Sequence, residues 1–168
     1  VKGKFDAIAN KDIAFYDIKS GKKIHRRLVG VDLTPESVDK GKYSHFMIKE
    51  IMEQKGTIRR AVNQDDGEIQ RIANMINNAF GTFSVACGTA GYVSMIGEYL
   101  FAKVAQKHIN FNVASEFAWH APFLTSRTLM IVTSQSGETA DVLEAMEAAH
   151  RKKVKIVSLT NVAESSIA

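Results

Sequence analysis

Thr128-Leu129-Met130-Ile131-Val132-Thr133 runs without interruption into Ser134-Gln135-Ser136-Gly137-Glu138-Thr139, and an amphipathic stretch from Ala140 to Lys152 follows. Six apolar or β-branched residues in a row read as a strand buried on both faces, a hallmark of parallel sheets. The next six are hydroxyl- and glycine-rich, which reads as a tight turn. In the last stretch Leu143, Met146 and Ala149 fall on one helical face, predicted to point inward. The unit is strand, turn, helix, and it fixes the polarity of whatever sheet it belongs to.

The same rhythm extends to both sides. Phe83-Ser84-Val85-Ala86 reads as a second strand, followed by the turn Cys87-Gly88-Thr89-Ala90-Gly91 and a helix carrying Met95, Tyr99, Ala102 and Val104. Ile109 to Val113 and Lys155-Ile156-Val157-Ser158-Leu159 supply two more strands. Apolar strands alternating with amphipathic helices predict an α/β fold of three layers, with a parallel sheet flanked by helices. Upstream, Asp65 and Glu68 form a capping-box-like start for a helix with Ile69, Ile72, Ala73, Ile76 and Phe80 as its apolar stripe. Before that, Ser44 stands at an N-cap position, and Met47, Ile51, Ile58 and Val62 recur at helical spacing.

Residues 1–33 differ in character. Phe5–Ala9, Ile13–Tyr16 and Ile24–Val31 read as short strands around the turn Ser20-Gly21-Lys22-Lys23. Three short strands without a helix make a poor core of their own, so this region is expected to be the β-rich end of another domain. Residues 34–43 are polar and contain Pro35, as a linker does. The third region, 44–168, holds the α/β pattern.

Composition narrows the classes. The chain has 168 residues, of which 45% are apolar and 24% charged, too apolar for a disordered chain. No apolar run exceeds four residues, so neither a membrane helix nor a signal peptide is expected. The lone cysteine excludes an internal disulfide and points to a reducing, cytoplasmic setting. The net charge of +4 is spread in scattered pairs, and its densest cluster, Arg151-Lys152-Lys153 with Lys155, follows a helix whose dipole favours cations there. No nucleic-acid role is expected. The five histidines lack metal-ligand spacing, so neither a metal nor a cofactor is expected.

In an open parallel sheet, ligands bind beyond the carboxyl ends of the strands. Ser134, Ser136 and Thr139 place three hydroxyls there, Gly137 permits close backbone approach, and the helix that follows offers unpaired N–H groups. That combination suits a phosphate. Cys87, Gly88 and Thr89 supply a second set of donors at the same edge. Helix capping alone would explain either turn; two such turns in one sheet favour a ligand. No Walker loop and no dinucleotide fingerprint occurs, and the absence of a lysine from the cradle favours a small phosphorylated metabolite over a nucleotide. Cys87 is better explained as a small buried residue ending a strand than as a nucleophile, since no histidine is close in sequence. His120 is expected at the surface beside Trp119. Glu116 serves equally well as a base or as a helix-start residue, and Glu138 and Asp141 as first-turn acids.

Ser134-Gln135-Ser136-Gly137-Glu138-Thr139-Ala140-Asp141 resembles the signature of the sugar isomerase (SIS) domain, in the form found in the glutamine–fructose-6-phosphate aminotransferase family. Lys40 to Gln54, Ala86-Cys87-Gly88-Thr89, Ala114-Ser115-Glu116-Phe117 and Asn161-Val162 with Ser165-Ser166 are similar to further family segments, in family order. The resemblance implies binding of fructose 6-phosphate or glucosamine 6-phosphate through Cys87, Gly88, Thr89, Ser134, Gln135, Ser136 and Thr139. It makes residues 1–33 the end of a glutaminase domain and 44–168 part of the first SIS domain. The catalytic residues then lie outside this chain, which is expected to be inactive alone and to belong to a homodimeric enzyme. Ala90 stands where the family has a serine, and Glu164 where it has glycine. A sensor module of a regulator and a stand-alone phosphosugar isomerase share the fold and remain open.

Overall fold

Side chains that point alternately to two apolar layers along Thr128–Ser134 explain the architecture. The computed structural model describes residues 15–25 and 39–168. Its principal sheet consists of β3 (Gly81–Ala86), β4 (Asn110–Val113), β5 (Thr128–Ser134) and β6 (Lys155–Thr160), all parallel, in the order β4-β3-β5-β6. On β5, Met130 and Val132 enter one apolar cluster, while Leu129 and Ile131 enter another on the opposite face. A strand apolar on both sides needs helices on both sides. The result is the three-layer α/β arrangement expected.

The first cluster joins Phe83, Val85, Met130 and Val132 to Phe117 and to Val142, Ala145 and Ala149 of α4 (Ala140–Arg151). Here the helical face differs from the reading above. Val142 and Ala145 are buried with Ala149, and Leu143 and Met146 are half-buried partners of the same cluster, so the contact stripe is rotated by about one residue. The second cluster joins Leu129, Ile131, Val157 and Ile109 to Ile72, Met75 and Ile76 of α2 (Asp66–Asn78). α2 starts as its capping pattern predicts: Asp65 Oδ1 accepts from the Glu68 amide at 2.9 Å.

α3 (Gly88–Leu100) departs further from expectation. Its buried residues are Gly91 and Ser94, whereas Tyr99 and Val104 are exposed, and the helix widens into a π turn at Phe101–Ala105. The contact is made by small residues, which let the helix approach β3 and β4 closely and which a hydrophobic stripe does not reveal. A 3₁₀ helix, Ala114–Phe123, follows β4.

The chain divides into two units, residues 1–63 and 64–168, and the sheet lies wholly in the second. In the first, β1 (Phe15–Tyr16) and β2 (Lys23–Ile24) pair antiparallel around a turn in which Asp17 Oδ1 accepts from the Ser20 amide at 2.6 Å and its hydroxyl at 2.7 Å. These bonds to the charged form hold the Asp17 carboxyl below its ordinary pKa. α1 (Phe46–Val62) also belongs to this unit and buries none of its residues. Its N-cap is His45, not Ser44. His45 is extended, with φ −137° and ψ 147°, and this delays the helix until the Ser44 hydroxyl is one position too early to cap it. The expected strand Phe5–Ala9, most of Ile24–Val31 and the linker up to Val38 lie outside the described residues.

Candidate functional site

Strand order places the two hydroxyl-rich turns. From β3 the chain moves outward to β4, then returns across β3 to β5 and continues the other way to β6. The direction therefore reverses between β3 and β5, the kind of switch point beside which open α/β sheets bind ligands at their carboxyl ends. Ala86 and Thr133 are register partners, so Cys87 and Ser134 leave the sheet side by side. The Cys87 thiol donates to Asp141 Oδ2 at 3.7 Å, which ties the start of α3 to the first turn of α4. Cys87, Gly88 and Thr89 on one side, and Ser134, Gln135, Ser136 and Thr139 on the other, are thus brought to one edge between adjacent strands.

The second turn is held by its own hydroxyls. Ser134, the buried last residue of β5, accepts from the Gly137 amide at 3.1 Å and shares a 2.8 Å hydrogen bond with Thr139 Oγ1. A hydroxyl has one hydrogen and two acceptor positions. The Ser134–Thr139 bond consumes one of the two available hydrogens and leaves the other for an outside oxygen. Ser136 is exposed, and its Oγ accepts from the Glu138 amide at 3.2 Å, so its own hydrogen is likewise uncommitted to that bond. Gln135 is exposed. No side chain caps α4 at Thr139 or α3 at Cys87, so both helix starts keep amide hydrogens and the positive ends of their dipoles available at the carboxyl edge of the sheet. Gly88 takes φ +57° and Gly137 φ +69°. Both turns use the left-handed conformation that glycine adopts without penalty.

Residues after β6 fold back over this turn. Ile167 donates its amide to Gly137 O at 3.0 Å and buries its side chain in the first core cluster. The Ser166 amide donates to Glu138 Oε1 at 2.7 Å. That backbone bond, with help from the Ser166 side chain, holds the Glu138 carboxyl below its ordinary pKa. Glu138 therefore precedes the helix and fastens the returning chain, rather than acting as a first-turn acid; Asp141 is within the first turn and also accepts from Cys87. The sequence signal for this strap was the Ser165-Ser166 pair, whose partner across 28 residues no local pattern specifies.

The other candidates sit elsewhere. His120 is half-buried, not on the surface, with its ring centroid 6.2 Å from Phe117 and 6.0 Å from Phe83. The 3₁₀ helix turns it onto the aromatic core while its neighbour Trp119 stays exposed. Glu116 is exposed beside Ser115, whose hydroxyl reaches it at 3.4 Å. Among the described residues no group of three His, Cys, Asp or Glu side chains is placed to hold a metal ion. No helix among them is long and apolar enough to cross a membrane.

Comparison with known proteins agrees with this architecture. Residues 75–168 match the SIS domain family. The chain is 36% identical to glutamine–fructose-6-phosphate aminotransferase [isomerizing] of Clostridium acetobutylicum over 98% of its own length, and 39% identical to the same enzyme of Caldanaerobacter subterraneus over 96%. It spans 28% of the length of each of those relatives. Among solved structures, the C-terminal domain of glucosamine-fructose-6-phosphate aminotransferase from Francisella tularensis superposes with a TM-score of 0.64 at 30% identity, covering 77% of this chain and 38% of that one. The parallel sheet, its switch point between β3 and β5 and the family match over the whole of that sheet together make this chain a member of the SIS domain family.

Proposed function

We propose that this chain is the sugar-phosphate-binding part of a glutamine–fructose-6-phosphate aminotransferase, an enzyme that makes glucosamine 6-phosphate from fructose 6-phosphate and glutamine. The observation that carries the reading is the convergence of two hydroxyl-rich turns and two uncapped helix starts at the β3/β5 switch point. An incoming phosphate receives hydrogen bonds from Ser136, from the hydrogen left over in the Ser134–Thr139 pair, and from the amides opening α4. The sugar then extends toward Cys87, Gly88 and Thr89. Gln135, exposed in the same turn, closes the phosphate side.

In the proposed reaction glutamine supplies ammonia, the ammonia adds to the ketose carbonyl, and isomerisation moves the carbonyl to give the amino sugar. The role assigned to this chain is binding and orientation. The groups that move protons are assigned to parts of the enzyme outside this span, in keeping with its 28% share of the relatives' length. The intact enzyme is proposed to be a cytoplasmic homodimer. Ala90 removes a hydroxyl that the family places beside the sugar, which weakens binding by about 1 kcal/mol.

Calorimetric titration with fructose 6-phosphate tests the reading. Saturable binding is expected, and Ser136→Ala weakens it roughly tenfold, the worth of one hydrogen bond to a charged oxygen. Identical titrations for the two proteins would sink it.

A further inference from the structure

We infer that the opposite, amino-terminal edge of the same sheet carries a second anion-binding pocket, built for a small phosphorylated or carboxylated molecule. A cavity of about 390 Å³ opens there, between the end of α2 and the first residues of β5 and β6. That is within the size range of small-ligand sites. Arg71, Arg127 and Lys155 line it, together with Asn74, Asn78 and Ser126, and no carboxylate is among its described lining residues.

The donors are uncommitted or held in place. Arg127 and Lys155 have no ion pair among the described residues. Arg71 shares its charge with Glu68 at 2.8 Å, so the pocket's net positive charge rests mainly on the other two. The Arg127 guanidinium stands 5.1 Å from the centroid of the Phe80 ring, and its carbonyl accepts from the Phe80 amide at 2.9 Å. The turn that carries it is closed by Thr128 Oγ1, which accepts from the Thr125 amide at 3.0 Å, and by the return bond from the Thr128 amide at 2.9 Å. Asn74 receives a hydrogen bond from Gln70 on its carbonyl oxygen at 3.1 Å, which leaves its amide hydrogens to donate. The carboxyl end of α2 works against an anion here. Two of its carbonyls are already engaged: Asn77 O accepts from Lys107 Nζ at 3.3 Å, and Met75 O from the Ala79 amide at 3.1 Å. The cationic side chains lining the pocket have to outweigh what remains of the helix's carbonyl end.

Nothing in this inference depends on what the Ser134–Thr139 turn binds. The test is an NMR titration of the chain with inorganic phosphate, against chloride at matched ionic strength, reading the side-chain amides of Asn74 and Asn78 and the Arg127 Nε–H. Saturable shifts specific to phosphate are expected. Arg127→Gln with Lys155→Gln weakens them about tenfold, the loss of charge-assisted bonds, while Ser136→Ala leaves them unchanged. The single variants Arg127→Gln and Lys155→Gln give the intermediate result if the double variant fails to fold. Shifts confined to residues 134–139, shifts equally produced by chloride, or titrations unaltered by the substitutions would each overturn the inference.

Discussion

Gly137→Ala is the substitution in which local conformation, packing and the proposed function meet. A Cβ at this position overlaps Ser165 Oγ and Cβ and stands 2.8 Å from Thr160 Oγ1. The backbone is also left-handed, at φ +69°. The conformational penalty for a side chain there is about 1–2 kcal/mol, and forcing a methyl group into filled space costs about 1–3 kcal/mol. Together they predict a loss of about 2–5 kcal/mol in urea denaturation. The two contributions separate experimentally. Ser165→Gly removes both overlapping atoms but leaves the 2.8 Å approach of Thr160 Oγ1, so a double-mutant cycle is expected to recover most of the steric share and to leave at least the conformational share of about 1–2 kcal/mol. Relief cannot come from moving residue 165 alone, because its neighbours are fixed: Ser166 is bonded to Glu138, and Ile167 is bonded to Gly137 and buried in the core. The methyl group thus pushes against a strap anchored on both sides, and the proposed sugar-phosphate binding is expected to fall with stability. A loss below about 1 kcal/mol, under even the conformational penalty, would refute the reasoning. So would a cycle showing no coupling between positions 137 and 165.

Two further outcomes follow from hydrogen bonds at other points of the fold. Glu138 has its pKa lowered by the Ser166 bond, so its contribution is present above the ordinary glutamate range of about 4.3 and is lost as pH falls through the depressed value; Glu138→Gln should flatten the acid limb of stability measured by urea denaturation between pH 6 and 3. Asp65→Ala removes the α2 cap and should cost about 1 kcal/mol, while Asp65→Asn, which retains an acceptor oxygen for the Glu68 amide, should cost much less in the same assay.

What the sequence made legible was everything set by a local period or a local turn. The unbroken apolar run Leu129–Val132 announced a doubly covered parallel strand, and the Asp65/Glu68 pair announced the start of α2. The hydroxyls and glycine of residues 134–139 were readable as one turn, and their internal bonds span no more than five residues. Three things were not readable. The buried face of α3 is made of Gly91 and Ser94, whose packing value comes from their small size and leaves no hydrophobic stripe. The apolar stripe of α1 is real as a pattern, yet Met47, Ile51, Ile58 and Val62 are all exposed, because amphipathicity records a helix's two faces and not which surface meets them. The Glu138–Ser166 bond and the Cys87–Asp141 contact depend on strand order, and sequence spacings of 28 and 54 residues carry no trace of it.

The two edges of the sheet differ in chemistry for a reason that lies in the direction of the chain. Every strand of this four-stranded sheet is parallel, and the helices that connect them return antiparallel to the strands, so amide ends gather at the carboxyl edge and carbonyl ends at the amino edge. At the carboxyl edge an anion can be held by backbone N–H groups and hydroxyls alone; the Ser134–Thr139 turn contains no lysine or arginine. At the amino edge the same helices oppose an anion, and a pocket there needs formal positive charge from side chains, as Arg127 and Lys155 provide. Salt should therefore distinguish the two sites. Binding that rests on exposed side-chain cations weakens as ionic strength rises and the screening length shortens toward about 8 Å. Binding that rests on short hydrogen bonds from a half-enclosed turn weakens less. A phosphate titration repeated from low to physiological salt should thus lose the Asn74 and Asn78 shifts before those of residues 134–139, and the reverse order would mean that the backbone dipoles contribute less than the strand direction implies.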